Sequence, residues 1–327
     1  MELNLSDRPM KKSHKWNSPW FYVFVSVFLL LWIPIFVGLA QINKAKYYLA
    51  GFGIFAAMVS VIVVGCFFEK YLTVGVCLIL FFMSEFFEVS GTYIALNKCP
   101  KYTIPDDVFD VLPYSEYMPI SFLKSVKSAA LGDILMYVAV VPVAISLLFQ
   151  KDDFRLLKRG FLLIAISSIL RPITFNVTRL SDPNPDSLAN REGFVPSPVT
   201  LPNIITFMID YFIDLSHPHE TSGDMIFSGH TRYLMVGLCV MSSLVSKKNW
   251  KVTVPCFVCE LLCCCCAIYC FFLTRLHYTV DILLAIVLVV SWWQVLCAAS
   301  QYSKVEAGDR LSLTTRLWIS FLRWIDC

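Results

Sequence analysis

Long apolar runs broken by short polar turns dominate the chain. Eight of them reach spanning length, at roughly 20–40, 47–68, 71–96, 131–149, 161–178, 226–246, 252–273 and 278–299. A bilayer core needs about 20 apolar residues of helix to cross it. In the absence of water every backbone amide and carbonyl must bond within its own segment, so such runs are forced to be helical. The pattern predicts an all-α, polytopic transmembrane helix bundle. Only Glu69-Lys70 separates the second run from the third, so that boundary is the weakest. The segment from Leu311 to Trp324 alternates apolar and polar residues at near-helical spacing and carries Arg316 and Arg323. It fits either a helix lying on the membrane surface or a disordered tail.

Composition agrees with this reading. Of 327 residues, 57% are hydrophobic and only 16% charged, where a soluble domain carries about a quarter charged residues. Mean hydropathy is +0.66. The net charge of +3 is too small to point to a nucleic-acid partner. The chain also lacks a long basic tract, a zinc-finger spacing and a glycine-rich phosphate loop. Most of its 13 cysteines sit inside apolar runs, where thiols act as small apolar fillers. The run Cys263–Cys266 matches no zinc pattern, because consecutive residues of a helix face different directions.

The basic residues set an orientation. Arg8, Lys11, Lys12 and Lys15 precede the first run, which is too long for a cleaved signal peptide and reads as a signal anchor. Lys151, Arg155, Lys158 and Arg159 fill one loop, and Lys247, Lys248 and Lys251 another. These loops and both termini are expected to be cytosolic. The loops 97–130 and 179–224 are expected on the lumenal side, with Lys44 and Lys46 as a mild violation.

Candidate chemistry gathers on that lumenal side. His14 lies in the N-terminal segment, whereas His217, His219, His230 and His277 all map to the lumenal side or its membrane edge. One cluster runs Ser222-Gly223-Asp224-Met225-Ile226-Phe227-Ser228-Gly229-His230-Thr231 at the start of a span. Its glycine allows a phosphate close to the backbone, and helix N-terminal amides favour an anion. A helix cap followed by a buried histidine explains the same letters. The second cluster is His277-Tyr278-Thr279-Val280-Asp281. Its four-residue spacing predicts His277 and Asp281 one turn apart on one helix face, where a carboxylate orients the imidazole. A pair that merely satisfies itself at the membrane edge is the bland alternative. Glu85 and Glu88 share a helix face at unclear depth.

Ser-Gly-His-Thr followed by His-Tyr-Thr-Val-Asp resembles the sphingomyelin synthase family, a branch of the type 2 phosphatidic acid phosphatase superfamily. Arg171-Pro172-Ile173-Thr174-Phe175-Asn176-Val177-Thr178 and Ile104-Pro105-Asp106-Asp107-Val108-Phe109-Asp110 resemble two further blocks of that family, in the family's order. The resemblance covers roughly 100–300. It departs in having Ser222 where the family usually has cysteine. The lysine that phosphatase members place before Arg-Pro is absent, and Ile164 stands at that offset.

The resemblance implies a six-helix catalytic core over 71–299, two additional spans over 20–70, a cytosolic segment 1–19 and a cytosolic tail 300–327. It implies a catalytic triad of His230, His277 and Asp281. Arg171, Asp224 and Asp133 are candidate substrate contacts, and no metal or cofactor is implied. The expected reaction moves a phosphorylated headgroup from a glycerophospholipid to ceramide and releases diacylglycerol. Phosphocholine or phosphoethanolamine is favoured because Glu220 and Asp224 suit a cationic headgroup. Phosphoinositol transfer, lipid phosphate hydrolysis and a non-enzymatic role remain as alternatives. The Golgi membrane is the expected location, with plasma membrane or endoplasmic reticulum as alternatives, and a homo-oligomer is left open. Asn176-Val177-Thr178 is a glycosylation sequon by letter, expected to be unmodified so close to the membrane.

Overall fold

A computed structural model of the protein describes residues 18–42, 44–101, 104–120, 123–148, 154–213, 222–245, 250–302 and 312–326. His14, His217, His219, Glu220, the four basic residues before Trp16, and the Lys247-Lys248 pair lie outside them. Among the described residues the α-helices run α1 Pro19–Gln41, α2 Ala45–Phe67, α3 Glu69–Leu96, α4 Asp107–Val111, α5 Ser128–Leu148, α6 Arg155–Val177, α7 Leu201–Ile213, α8 Gly229–Leu244, α9 Trp250–Leu273, α10 Thr279–Tyr302 and α11 Leu313–Asp326. Seven of these are long and apolar enough to cross a membrane. The chain is an all-α, multi-pass membrane protein.

Two apolar cores hold the bundle together. The larger joins α5, α6, α8, α9 and α10 around Ala139, Leu163, Leu234, Phe271 and Val289. The smaller joins α1, α2, α7 and one side of α3 around Phe28, Trp32, Met58, Ile79 and Ile209. Side chains facing outward, such as Leu30, Val63, Ile134 and Val287, are exposed and apolar, as lipid contact requires.

Four details differ from the sequence pattern. The eighth helix, α8, has 16 residues and begins at Gly229 rather than 226. Ile226 at φ 85° and Phe227 at φ 69° are left-handed, a conformation that cannot start a helix. α8 is walled by other helices on most sides, so its length need not match the bilayer. α6 starts at Arg155, six residues before 161, and its first turn is used for packing: Lys158 Nζ bonds the Ile325 carbonyl at 2.5 Å. That contact belongs to the third difference. The tail helix α11 buries Ile319, Leu322, Trp324 and Ile325 against the bundle. It is therefore a docked helix, neither disordered nor lying free on the membrane, because its apolar stripe finds a protein partner.

The fourth is α7, too short to span and lodged inside the 179–224 loop. It packs closely on α1, since a Cβ on Gly38 would lie 2.0 Å from Ile205 Cδ1. Lys46 meets Asp210 of α7 at 3.2 Å, and the Tyr47 hydroxyl donates to Asp210 at 2.9 Å. The charge that ran against the orientation pattern thus has a local partner.

Candidate active site

The two histidine clusters meet at one end of the bundle. His230 occupies the second position of α8, after Ser228 has capped the helix by accepting from Thr231 N at 3.2 Å. His277 lies in the turn between α9 and α10, two residues before α10 begins. The expectation of His277 and Asp281 on one helix face is corrected accordingly: only Asp281 is helical. The turn still brings them together, with His277 Nδ1 3.8 Å from Asp281 Oδ2. His277 Nε2 lies 3.3 Å from His230 Nδ1. His230 Nε2 in turn lies 3.6 Å from Asp133 Oδ1, on α5. The four side chains form a row, Asp133, His230, His277, Asp281.

Asp281 is fully buried and bonds backbone rather than imidazole. Its Oδ1 accepts from Ile226 N at 2.9 Å and its Oδ2 from Tyr278 N at 3.0 Å. One carboxylate thereby ties the two sequence clusters together. The strained turn at Ile226 and Phe227 costs on the order of 1–3 kcal/mol per residue, and these bonds hold it in place. Asp106 plays a similar part from the block 104–110: its carboxylate accepts from Thr279 N and Thr279 Oγ1, both at 2.7 Å. The Tyr278 hydroxyl accepts from Ile104 N at 3.2 Å and bonds Ser181 at 3.1 Å.

Beneath the histidines lies a buried charge network. Arg171 donates from Nη1 to Glu88 at 2.5 Å, from Nη2 to Asp224 Oδ2 at 2.8 Å, and from Nε to the Phe227 carbonyl at 2.7 Å. Arg232 donates from Nη1 to the other Glu88 oxygen at 2.6 Å and to Ser168 at 2.6 Å, and meets Glu85 at 3.4 Å. Glu88 thus bridges two arginines. Gly229 makes room for this: a Cβ there would lie 3.2 Å from Arg171 Cζ. Gly223, at φ +79°, passes so close to α3 that a Cβ would lie 2.9 Å from the Ala95 carbonyl.

A cavity of about 480 Å³ opens beside the row, between α3 and α5. Its polar wall holds His230, Arg171, Asp224, Glu85 and Glu88; Phe82, Val89, Tyr137 and Val141 line its apolar side. His277 sits behind His230 and is 2% exposed. Burial, followed by the neighbouring charges of His230 and Arg171, holds its imidazole well below the ordinary value, so it is neutral at pH 7. Asp182, in the loop after α6, is pushed up to about 7 by burial.

All six residues picked from the sequence fall within this region. Asp224 pairs with Arg171 rather than with His230, and most donors of Arg171 are engaged in the framework. Asn176 donates to the Gly91 and Pro172 carbonyls, which fits a packing role. Arg232 was missed, although an arginine two residues past His230 inside an apolar run is itself a signal of a buried site. The same signal attaches to Glu85 and Glu88. Among the described residues, no group of three or more His, Cys, Asp or Glu side chains is placed to hold a metal ion.

Comparison with known proteins agrees with the class that this fold and site define. Residues 221–298 match the PAP2 superfamily C-terminal family model, a range that contains both histidines and Asp281. Over those residues the chain resembles the PAP2 superfamily, and at low identity it is similar to sphingomyelin synthases. It is 24% identical over 163 residues to phosphatidylcholine:ceramide cholinephosphotransferase 1 of Homo sapiens, covering 49% of this chain and 38% of that protein. The proteins of that name from Sus scrofa and Gallus gallus match over the same share, at 24% and 23% identity. The chain therefore matches well under half the length of these relatives.

Proposed function

We propose that the protein is a ceramide phosphotransferase. It moves phosphocholine or phosphoethanolamine from a glycerophospholipid to the primary hydroxyl of ceramide and releases diacylglycerol. The observation that carries this reading is the row Asp133–His230–His277–Asp281 beside a cavity with one polar and one apolar wall. Such a cavity suits a lipid whose phosphate meets the histidines while its chains stay among apolar side chains.

The geometry supports the following steps. The phosphate enters between the two imidazoles and parts them. His230, with its side chain 35% exposed, has room to turn, whereas His277 is held. Neutral His277 attacks phosphorus through Nε2, and its Nδ1–H faces Asp281, whose negative charge favours the cationic phosphoryl-histidine. The phosphorus–oxygen bond to diacylglycerol breaks, and His230 supplies the proton to the leaving oxygen. His230 then removes the proton from the ceramide hydroxyl. That oxygen attacks phosphorus, and the bond to His277 breaks. Asp133 faces His230 as Asp281 faces His277. Arg171 and Asp224 sit at the cavity wall, where their charges act on the phosphate and on a cationic headgroup. On the orientation set by the basic loops the site faces the lumen, and the Golgi membrane is the proposed location.

The test is to incubate the full chain in liposomes with fluorescent ceramide and, in turn, phosphatidylcholine, phosphatidylethanolamine or phosphatidylinositol. A new phosphosphingolipid from one of the first two donors, absent with His277→Ala, is the expected result. Exclusive use of phosphatidylinositol would change the headgroup assignment. Phosphate release from phosphatidic acid with ceramide untouched would make the protein a phosphatase.

A further inference from the structure

A second cavity, of about 520 Å³, lies on the other side of α5, between α5, α8 and α9. It shares no lining residue with the histidine cavity. Its size falls in the range of roughly 300–1,000 Å³ typical of sites for one small ligand. The walls are apolar side chains and small polar ones, among them Pro142, Val143, Ser146, Cys256 and Cys259. One acid interrupts them. Glu260 is 7% exposed, and its Oε1 has no hydrogen-bond partner. Gly237 lies opposite and leaves room for this oxygen, since a Cβ there would lie 2.8 Å from it.

Position and chemistry narrow the ligand. Glu260 is ten residues past Trp250 in α9, about 15 Å along the helix axis and so near the middle of the span. The cavity runs from there toward Val252, at the end of the bundle remote from the histidines, and the flanking Cys256 and Cys259 are exposed to the surroundings. A ligand therefore arrives from the bilayer. Among the described residues no basic side chain lines the cavity, so none of them offers a phosphate a counter-charge. An unpaired carboxylate is costly in hydrocarbon, whereas an uncharged carboxyl offers one donor and spare acceptor capacity. A hydroxyl matches it reciprocally, giving and accepting one hydrogen bond.

We propose that this cavity is a second lipid site, separate from the histidine cavity, that binds the uncharged, hydroxyl-bearing head of a neutral lipid through Glu260. Sterols and diacylglycerols share this chemistry. The assignment does not depend on the reaction at the histidines.

The test uses the purified full chain and photoactivatable analogues of a sterol, a diacylglycerol, phosphatidic acid and a sphingoid base, with labelled peptides mapped by mass spectrometry. Labelling of 138–146 or 252–263 by the sterol or the diacylglycerol is expected, and whichever labels identifies the source. Glu260→Leu should lower that labelling about five- to tenfold, the worth of one buried hydrogen bond. Glu260→Gln, which keeps a donor and an acceptor, should retain it, and His277→Ala should leave it unchanged. Should Glu260→Leu fail to fold, Ser146→Phe fills the cavity from α5 and must give the same loss. Labelling that survives Glu260→Leu or Ser146→Phe, absence of label at these segments, or preference for the phosphate or the amine probe each overturns the proposal.

Discussion

Glu88 and Glu260 are equally buried, each 7% exposed, yet they stand in opposite surroundings. Glu88 bridges Arg171 and Arg232; Glu260 has an oxygen with no partner beside an open cavity. Burial alone therefore does not tell what an intramembrane acid does. A carboxylate whose oxygens are both claimed by buried cations is framework: it holds α3, α6 and α8 in the register that carries the histidines. A carboxyl that lines a cavity with no described cation beside it is available to a ligand.

The largest effect should come from breaking the bridged acid. Glu88→Ala leaves two buried guanidinium groups without their shared counter-charge, and removing one partner of a buried pair costs about 3–5 kcal/mol. Thermal unfolding in detergent should show it, together with loss of activity. Unchanged unfolding would mean that the network is not structural. The double variant Glu88→Leu with Arg232→Leu should lose less than the two single variants added together, because the groups share one network. Strict additivity would remove Arg232 from the framework.

Asp182 sharpens the comparison from between the two. It is 3% exposed, accepts from Asn184 N at 2.9 Å and is hydrogen-bonded by Ser222, with no cation claiming either oxygen among the contacts described. Its folded value of about 7 lies above the unfolded value of about 3.9. Between those limits the folded state keeps a proton that the unfolded state has released, so stability falls as pH rises from about 4 to 7. Asp182→Asn should remove this slope, gaining on the order of 1–3 kcal/mol at pH 8 and little at pH 4. A slope unchanged by the substitution would assign it to other groups. The smallest effect belongs to Glu260→Gln, which strands no charge and should shift stability by under about 1 kcal/mol. A loss as large as that of Glu88→Ala would erase the distinction between the two acids.

Much of the site could be read before any coordinates. Ser-Gly-His-Thr and His-Tyr-Thr-Val-Asp marked His230, His277 and Asp281, and the spacing of apolar runs marked the helices that carry them. The spacing argument failed in one respect: His277 is not helical, because the chain turns at Tyr278, where Asp106 and Asp281 hold the backbone. Arg232 passed unremarked, since one charge in an apolar run says nothing about its partners until α3 and α6 are set beside it. The short helix α7 was hidden because thirteen residues are too few to span and hydropathy alone does not separate such a helix from a loop. Glu260 likewise shows its open cavity only once α5 and α8 are packed against α9.

The sequence by itself determined that the chain crosses a membrane as helices, since backbone groups in lipid have no other way to be satisfied. It also determined which residue types are on offer at the candidate site, because imidazole and carboxylate are named directly by its letters. Which acid meets which base was decided only by the tertiary structure. Glu88 and Arg232 are 144 residues apart, and a charge buried at such separation acquires its role from the neighbour that helix packing brings to it.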